Sequence, residues 1–157
     1  MSLIRTWAIL GDLQIPWQDS PVLALALKFL RDIKPYGVIL NGDVIDAYSL
    51  SEFTKNPLHK IGLDREIRES RRLLADLVSI GVTERYWLGG NHEDRLRRYV
   101  WGHAPAFGDL AQMTFPKMFG LGDYEFKWKE YGGYVMLGKL MVTHGDLVLK
   151  HSGQSAK

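Results

Sequence analysis

The sequence predicts an α/β fold, and three observations predict it. Short apolar runs end repeatedly in a polar cluster: Ala8-Ile9-Leu10-Gly11-Asp12, Val38-Ile39-Leu40-Asn41-Gly42-Asp43, Tyr86-Trp87-Leu88-Gly89-Gly90-Asn91-His92, and Met141-Val142-Thr143-His144-Gly145-Asp146. Stretches of helical period separate the first three runs, which is the alternation that builds a parallel sheet. Each polar cluster begins where a strand should stop, and ligands in such folds gather at the carboxyl ends of strands.

The elements follow in chain order. Residues 7–10 form the first strand, and Pro16 argues against its further pairing. Asp19 or Ser20 caps a helix with Pro21 in its first turn. Val22, Leu23, Leu25, Ala26, Phe29 and Leu30 give that helix a wide apolar face, and Lys34-Pro35 ends it. Residues 38–40 form the second strand, completing a right-handed β-α-β unit. Residues 46–62 form a loop with a short helical turn, where His59 reads as a solvated side chain. Asp64 caps a second helix reaching about Ile80, with Ile67, Leu73, Leu74, Leu77 and Val78 inward. Its Arg65, Arg68, Arg71 and Arg72 interleave with Glu66 and Glu69, the pattern of a solvated, ion-paired face. Gly81 stops it, and residues 83–88 form the third strand.

Gly89-Gly90 then allows a tight turn into a third helix. Glu93 or Asp94 suits that helix's first turn, where carboxylates are favoured. Residues 101–121 are the least regular, with Met113, Phe115, Met118 and Phe119 as packing residues. Residues 124–130 and 133–137 read as two antiparallel strands joined through Tyr131-Gly132, and residues 139–143 as the last strand.

Four strand ends thus supply Asp12, Asp43, Asn91 and His144. Their convergence would give a mixed oxygen and imidazole donor set, which suits zinc, manganese or iron. Arg95, Arg97 and Arg98 place a small basic patch beside it, with Arg95 and Arg98 as candidate phosphate-binding residues.

These motifs carry a resemblance. Gly11-Asp12-x-Gln14, Gly42-Asp43, Gly90-Asn91-His92-Glu93 and His144-Gly145 resemble, in order and placement, the calcineurin-like metallophosphoesterases. The resemblance implies an α/β sandwich of mixed sheets flanked by helices. It implies hydrolysis of a phosphate ester by hydroxide held between two divalent metal ions, manganese foremost, with zinc or iron as alternatives. Carried over by residue, Asp12 binds the first metal, Asp43 bridges both, and Asn91 and His144 bind the second. His92 stands at the leaving oxygen as proton donor or transition-state stabiliser. The family usually has His where this chain has Gln14, a weaker metal ligand or a holder of water or phosphate. It also closes with Gly-His-x-His, which does not follow His144 in this sequence. The expectation is therefore a single family domain over residues 1–157 whose last strands are missing, with a sheet edge free for self-association. His151 is a poor substitute for the absent pair.

Bulk properties narrow the classes. The chain has 157 residues, net charge +2 and no cysteine, so thiolate metal sites and cysteine nucleophiles are excluded. No apolar run approaches a bilayer span, and a cytoplasmic location without membrane contact is expected. The charge is too mild to demand nucleic acid by itself. Two functions remain: a metal-dependent phosphoesterase, with nucleotide or nucleic-acid phosphodiesters as a subtype, or a catalytically inactive relative serving as a binding or assembly module. Gly11-Asp12 is not a dinucleotide fingerprint and Gly145-Asp146 is not a P-loop, which argues against an unrelated nucleotide-binding protein.

Overall fold

The computed structural model describes residues 5–145. Asp146, His151 and the residues after them lie outside the described residues. Three layers stack. The middle layer is a four-stranded parallel sheet in the order β1 (Trp7–Leu10), β2 (Gly37–Asn41), β3 (Glu84–Leu88), β4 (Lys127–Lys129). Helices α1 (Ser20–Ile33), α2 (Leu63–Ser79), α3 (Asp94–His103) and α4 (Phe115–Phe119) supply a layer on one face. A two-stranded antiparallel sheet, β5 (Tyr134–Leu137) with β6 (Leu140–Thr143), covers part of the other.

Strand alternation explains the layering. Val38 and Leu40 of β2 and Trp87 of β3 pack with Leu30, Leu74, Leu77 and Phe119 from the helices. Ile39 and Leu88, pointing the opposite way, pack with Val135 and Val142 of the second sheet. β2 reads as a continuous apolar run because both of its faces are covered, and β3 does so only over Tyr86–Leu88. Phe115 and Phe119 stack with centroids 4.2 Å apart, and both meet the Trp87 ring edge-on. This aromatic group is the heaviest apolar knot in the core, each ring contributing about 2–3 kcal/mol by burial.

The helix starts follow their caps. Asp19 accepts the amide of Val22 at 3.0 Å, and Pro21 lies in the first turn of α1. The N-cap of α2 is Gly62 rather than Asp64. Asp64 instead pairs with Arg68 along the exposed side, and Arg65 pairs with Glu69 at 2.7 Å.

Three further expectations are corrected. Residues 127–129 do not pair with the strand that follows them. They join β3 in parallel as an edge of the main sheet, and β5 pairs with β6 instead. The reason is the connection: Gly133 donates to Glu130 at 2.7 Å, a turn that carries the chain from one layer to the other rather than back along the same one. Glu66 is not on a solvated face but buried at 1% exposure. His59 is half-buried, stacked on Tyr48 at 4.2 Å and edge-on to Trp17 at 4.9 Å.

Candidate metal centre

Two loops leave the carboxyl ends of β1 and β2 side by side. The amide of Asp12 donates to Gly42 O at 3.1 Å, Gln14 to Asp43 O at 3.0 Å and Ile15 to Val44 O at 2.8 Å. These bonds prolong the parallel register beyond the strands and set Asp12 next to Asp43. Both residues have left-handed backbones, φ 54° and 49°, conformations that Asp tolerates better than most side chains.

His144, just past the end of β6, arrives from the other layer. Its Nδ1 lies 2.8 Å from Asn41 O, and a carbonyl only accepts, so Nδ1 carries the hydrogen. The neutral ring is thus left with a lone pair on Nε2, which lies 3.4 Å from Asp43 Oδ1. Asp12, Asp43 and His144 offer ligand atoms that all fall within 4.8 Å of one another. Two carboxylates and a backbone-oriented imidazole fit a divalent cation.

Glycines make this approach possible. A Cβ on Gly90 would lie 2.2 Å from Asp43 Oδ1 and 2.9 Å from His144 Nε2. One on Gly42, at φ 75°, would lie 2.4 Å from the His144 ring.

A buried carboxylate fixes the β2 loop. Glu93 accepts the amides of Asp43 and Val44 at 2.9 Å, of Gly90 at 2.8 Å and of Ile45 at 3.4 Å, with the indole N–H of Trp87 at 3.3 Å. Its side chain therefore makes no cap hydrogen bond to α3. Burial pushes its carboxyl up, the Gly90 amide pulls it down, and the neighbouring Asp43 charge pushes it up. Asp94 fills the helix-start role, pairing with Arg97 at 2.7 Å and Arg98 at 3.3 Å.

His92 occupies the flank. Its amide donates to Asp43 Oδ1 at 3.1 Å, and its Nε2 lies 3.7 Å from Asp43 Oδ2. Arg95 Nη2 is 3.1 Å from that same Nε2; a guanidinium only donates, so Nε2 accepts. Nδ1 then faces Asp46 Oδ1 at 3.6 Å. Asp46 is the residue the sequence reading missed. Its signal was available: a second Asp three positions after Asp43 in the same strand-end loop.

The remaining candidates fall into two places. Gln14 has an exposed side chain on the β1 loop, with φ 49°. Asn91, Arg95 and Arg98 line a cavity of about 520 Å³ together with Leu50, Glu52 and Phe53. Arg95 is largely committed within the fold, donating to Asp46 O at 2.7 Å. Arg98 is half-exposed and reaches Asn91 O at 3.3 Å.

A model of the calcineurin-like phosphoesterase family matches residues 6–155. The chain belongs to that family. Calcineurin-like phosphoesterases hydrolyse phosphate esters and bind divalent metals, and the Asp12, Asp43 and His144 cluster suits such an ion. The chain is also similar to the Gene 54 protein of Mycobacterium phage D29, 32% identical over 112 residues. That match covers 66% of this chain and 42% of the phage protein, so the chain spans less than half the length of this relative. No solved structure matches significantly. Among the described residues of this phosphoesterase chain, no helix is long and apolar enough to cross a membrane.

Proposed function

We propose that this chain is a metal-dependent phosphoesterase whose substrate is a phosphodiester of nucleotide or nucleic-acid type. The convergence of Asp12, Asp43 and His144 beside His92 carries the reading. Asp12 and Asp43 would hold one cation, with Gln14 as a weak neighbour; Asp43, Asn91 and His144 would hold a second. Bound there, divalent ions, manganese first among them, supply Lewis acidity and an activated water.

The chain's own groups do the rest. His92 stands beside Asp43; with a proton taken up on Nε2 as the Arg95 contact opens, its ring would hand that proton to the departing oxygen. The Asp46 carboxylate lies 3.6 Å from the other ring nitrogen, and Arg95 meets the ring at Nε2. The cavity lined by Asn91, Arg95, Arg98 and Phe53 has room for a group beyond the phosphate itself, which favours a diester over a small monoester. Arg98 is the cation there with the freer side chain and would meet a second phosphate.

The test is hydrolysis of bis-p-nitrophenyl phosphate against p-nitrophenyl phosphate, with metal content measured on the same samples after manganese loading. Preferred turnover of the diester is expected. Asp43→Ala should lower both metal content and turnover by about a hundredfold or more. Full turnover in that variant would sink the reading. Tight metal binding without turnover of either ester would favour an inactive binding module instead.

A further inference from the structure

The helix α2 contributes a buried acid to the back of the site. Glu66 is 1% exposed, and its Oε2 accepts the amide of Ala47 at 2.6 Å. Ala47 is fully buried and has φ 49°, a left-handed backbone that an alanine rarely adopts. Its amide has therefore been turned inward and needs an acceptor.

The residue before it, Asp46, connects outward in three directions. Its amide donates to Ile15 O at 3.0 Å. Its carbonyl accepts Arg95 Nη1 at 2.7 Å, and its carboxylate faces His92 Nδ1 at 3.6 Å. Arg95 closes the circuit by reaching His92 Nε2 at 3.1 Å. A movement of the Asp46–Ala47 turn would thus shift Arg95, which meets His92 Nε2, together with the carboxylate beside Nδ1. Glu66 is not among the residues that line the cavity.

We propose that Glu66 is a positioning residue for His92, holding the Asp46–Ala47 turn through the Ala47 amide. The proposal rests on the reading of His92 as a working group of the site. Two charged groups face Glu66: Asp46 from the β2 loop and Arg95 from α3. Burial pushes the Glu66 carboxyl up to about 7, with the Ala47 amide opposing and Asp46 adding to the rise. Its charge therefore changes near neutrality, and the Ala47 amide should report that change.

Three chains decide it: wild type, Glu66→Gln and Glu66→Ala. The glutamine keeps a carbonyl oxygen for the amide of Ala47, and the alanine does not. At fixed pH, carbethoxylation of His92, read by mass spectrometry, should rise about fivefold in Glu66→Ala and stay near wild type in Glu66→Gln. His144 should not change, which separates a local shift from a loosened fold. The amide proton of Ala47, followed by NMR, should move with pH near 7 in wild type and stay still in Glu66→Gln. Where the esterase is active, Glu66→Ala should lower kcat by about fivefold or more with KM little changed, and Glu66→Gln should restore it.

Equal reactivity of His92 in all three chains, or an equal rise at His144, would overturn the proposal. So would an Ala47 amide identical in wild type and Glu66→Gln at every pH, a measurement that stands even when the alanine variant does not fold. A wild type with no turnover but with the His92 and Ala47 signatures would instead reject the esterase reading and leave the Glu66 role in place.

Discussion

The loops after β1 and β2 carry the two aspartates of the site, yet they are held in opposite ways. The β2 loop is clamped from inside. Amides of residues 43, 44 and 45 end on Glu93, that of Asp46 on Ile15 O, and that of Ala47 on Glu66. Asp43 is accordingly buried at 6% exposure. The β1 loop has no such clamp described. Asp12 and Gln14 are exposed and fixed by backbone bonds to the β2 loop. One aspartate is preorganised by the protein; the other is placed beside it with an exposed side chain that a cation would order under the proposed function.

Glu93→Gln should break this contrast most severely. Both oxygens of Glu93 accept N–H groups, so an amide nitrogen must face donors whichever way it turns. A loss of about 4 kcal/mol is expected in urea unfolding. A loss under about 1 kcal/mol would show that the β2 loop is not held by this carboxylate.

Glu66→Gln sharpens the contrast through pH. The folded pKa of Glu66 is raised from 4.5 to about 7, so folding disfavours its ionised form. Stability from this group is fully present below 4.5 and is lost as pH rises through 7. Wild type should therefore lose up to about 3 kcal/mol between pH 4.5 and 8 relative to Glu66→Gln, read as diverging melting temperatures. Parallel curves would mean that Glu66 does not titrate in this window.

Gly90→Ala should cost about 2 kcal/mol, because its Cβ would overlap Asp43 Oδ1. Manganese affinity, measured by calorimetry, should fall with it. The smallest effect belongs to Asp12→Ala. Without metal it should change stability by less than about 0.5 kcal/mol, since the side chain is exposed. With manganese present, the same substitution should remove much of the stabilisation that metal gives wild type. A large effect without metal would erase the distinction between the loops.

The same contrast explains what the sequence made legible. Asp12, Asp43 and His144 were readable as candidates because each ends an apolar run; the first two end neighbouring parallel strands, whereas His144 comes from the antiparallel layer. The β-α-β beginning was readable from period and caps. Glu66 was not, because it lies among arginines on a helix whose composition matches a solvated face; only the burial of one side of α2 reveals it. The role of Glu93 was hidden for a related reason. A carboxylate at the start of a helix suits its dipole, and nothing local shows that the amides of a loop 50 positions away will need it. The pairing of β4 depended on which layer the Glu130–Gly133 turn leads to, a tertiary fact with no local signature.

The centre also lies across the seam between two layers. Asn41, at the end of β2, accepts the His144 ring through its carbonyl and donates its side-chain amide to Thr143 O at 3.3 Å. Residues 41 and 144 are 103 positions apart, so this joint closes late in any folding order that begins with local contacts. A partly folded chain with the main sheet formed but β5 and β6 undocked would lack His144 and bind cations poorly. Metal uptake during refolding would therefore act as a clock, marking the moment at which the second layer arrives.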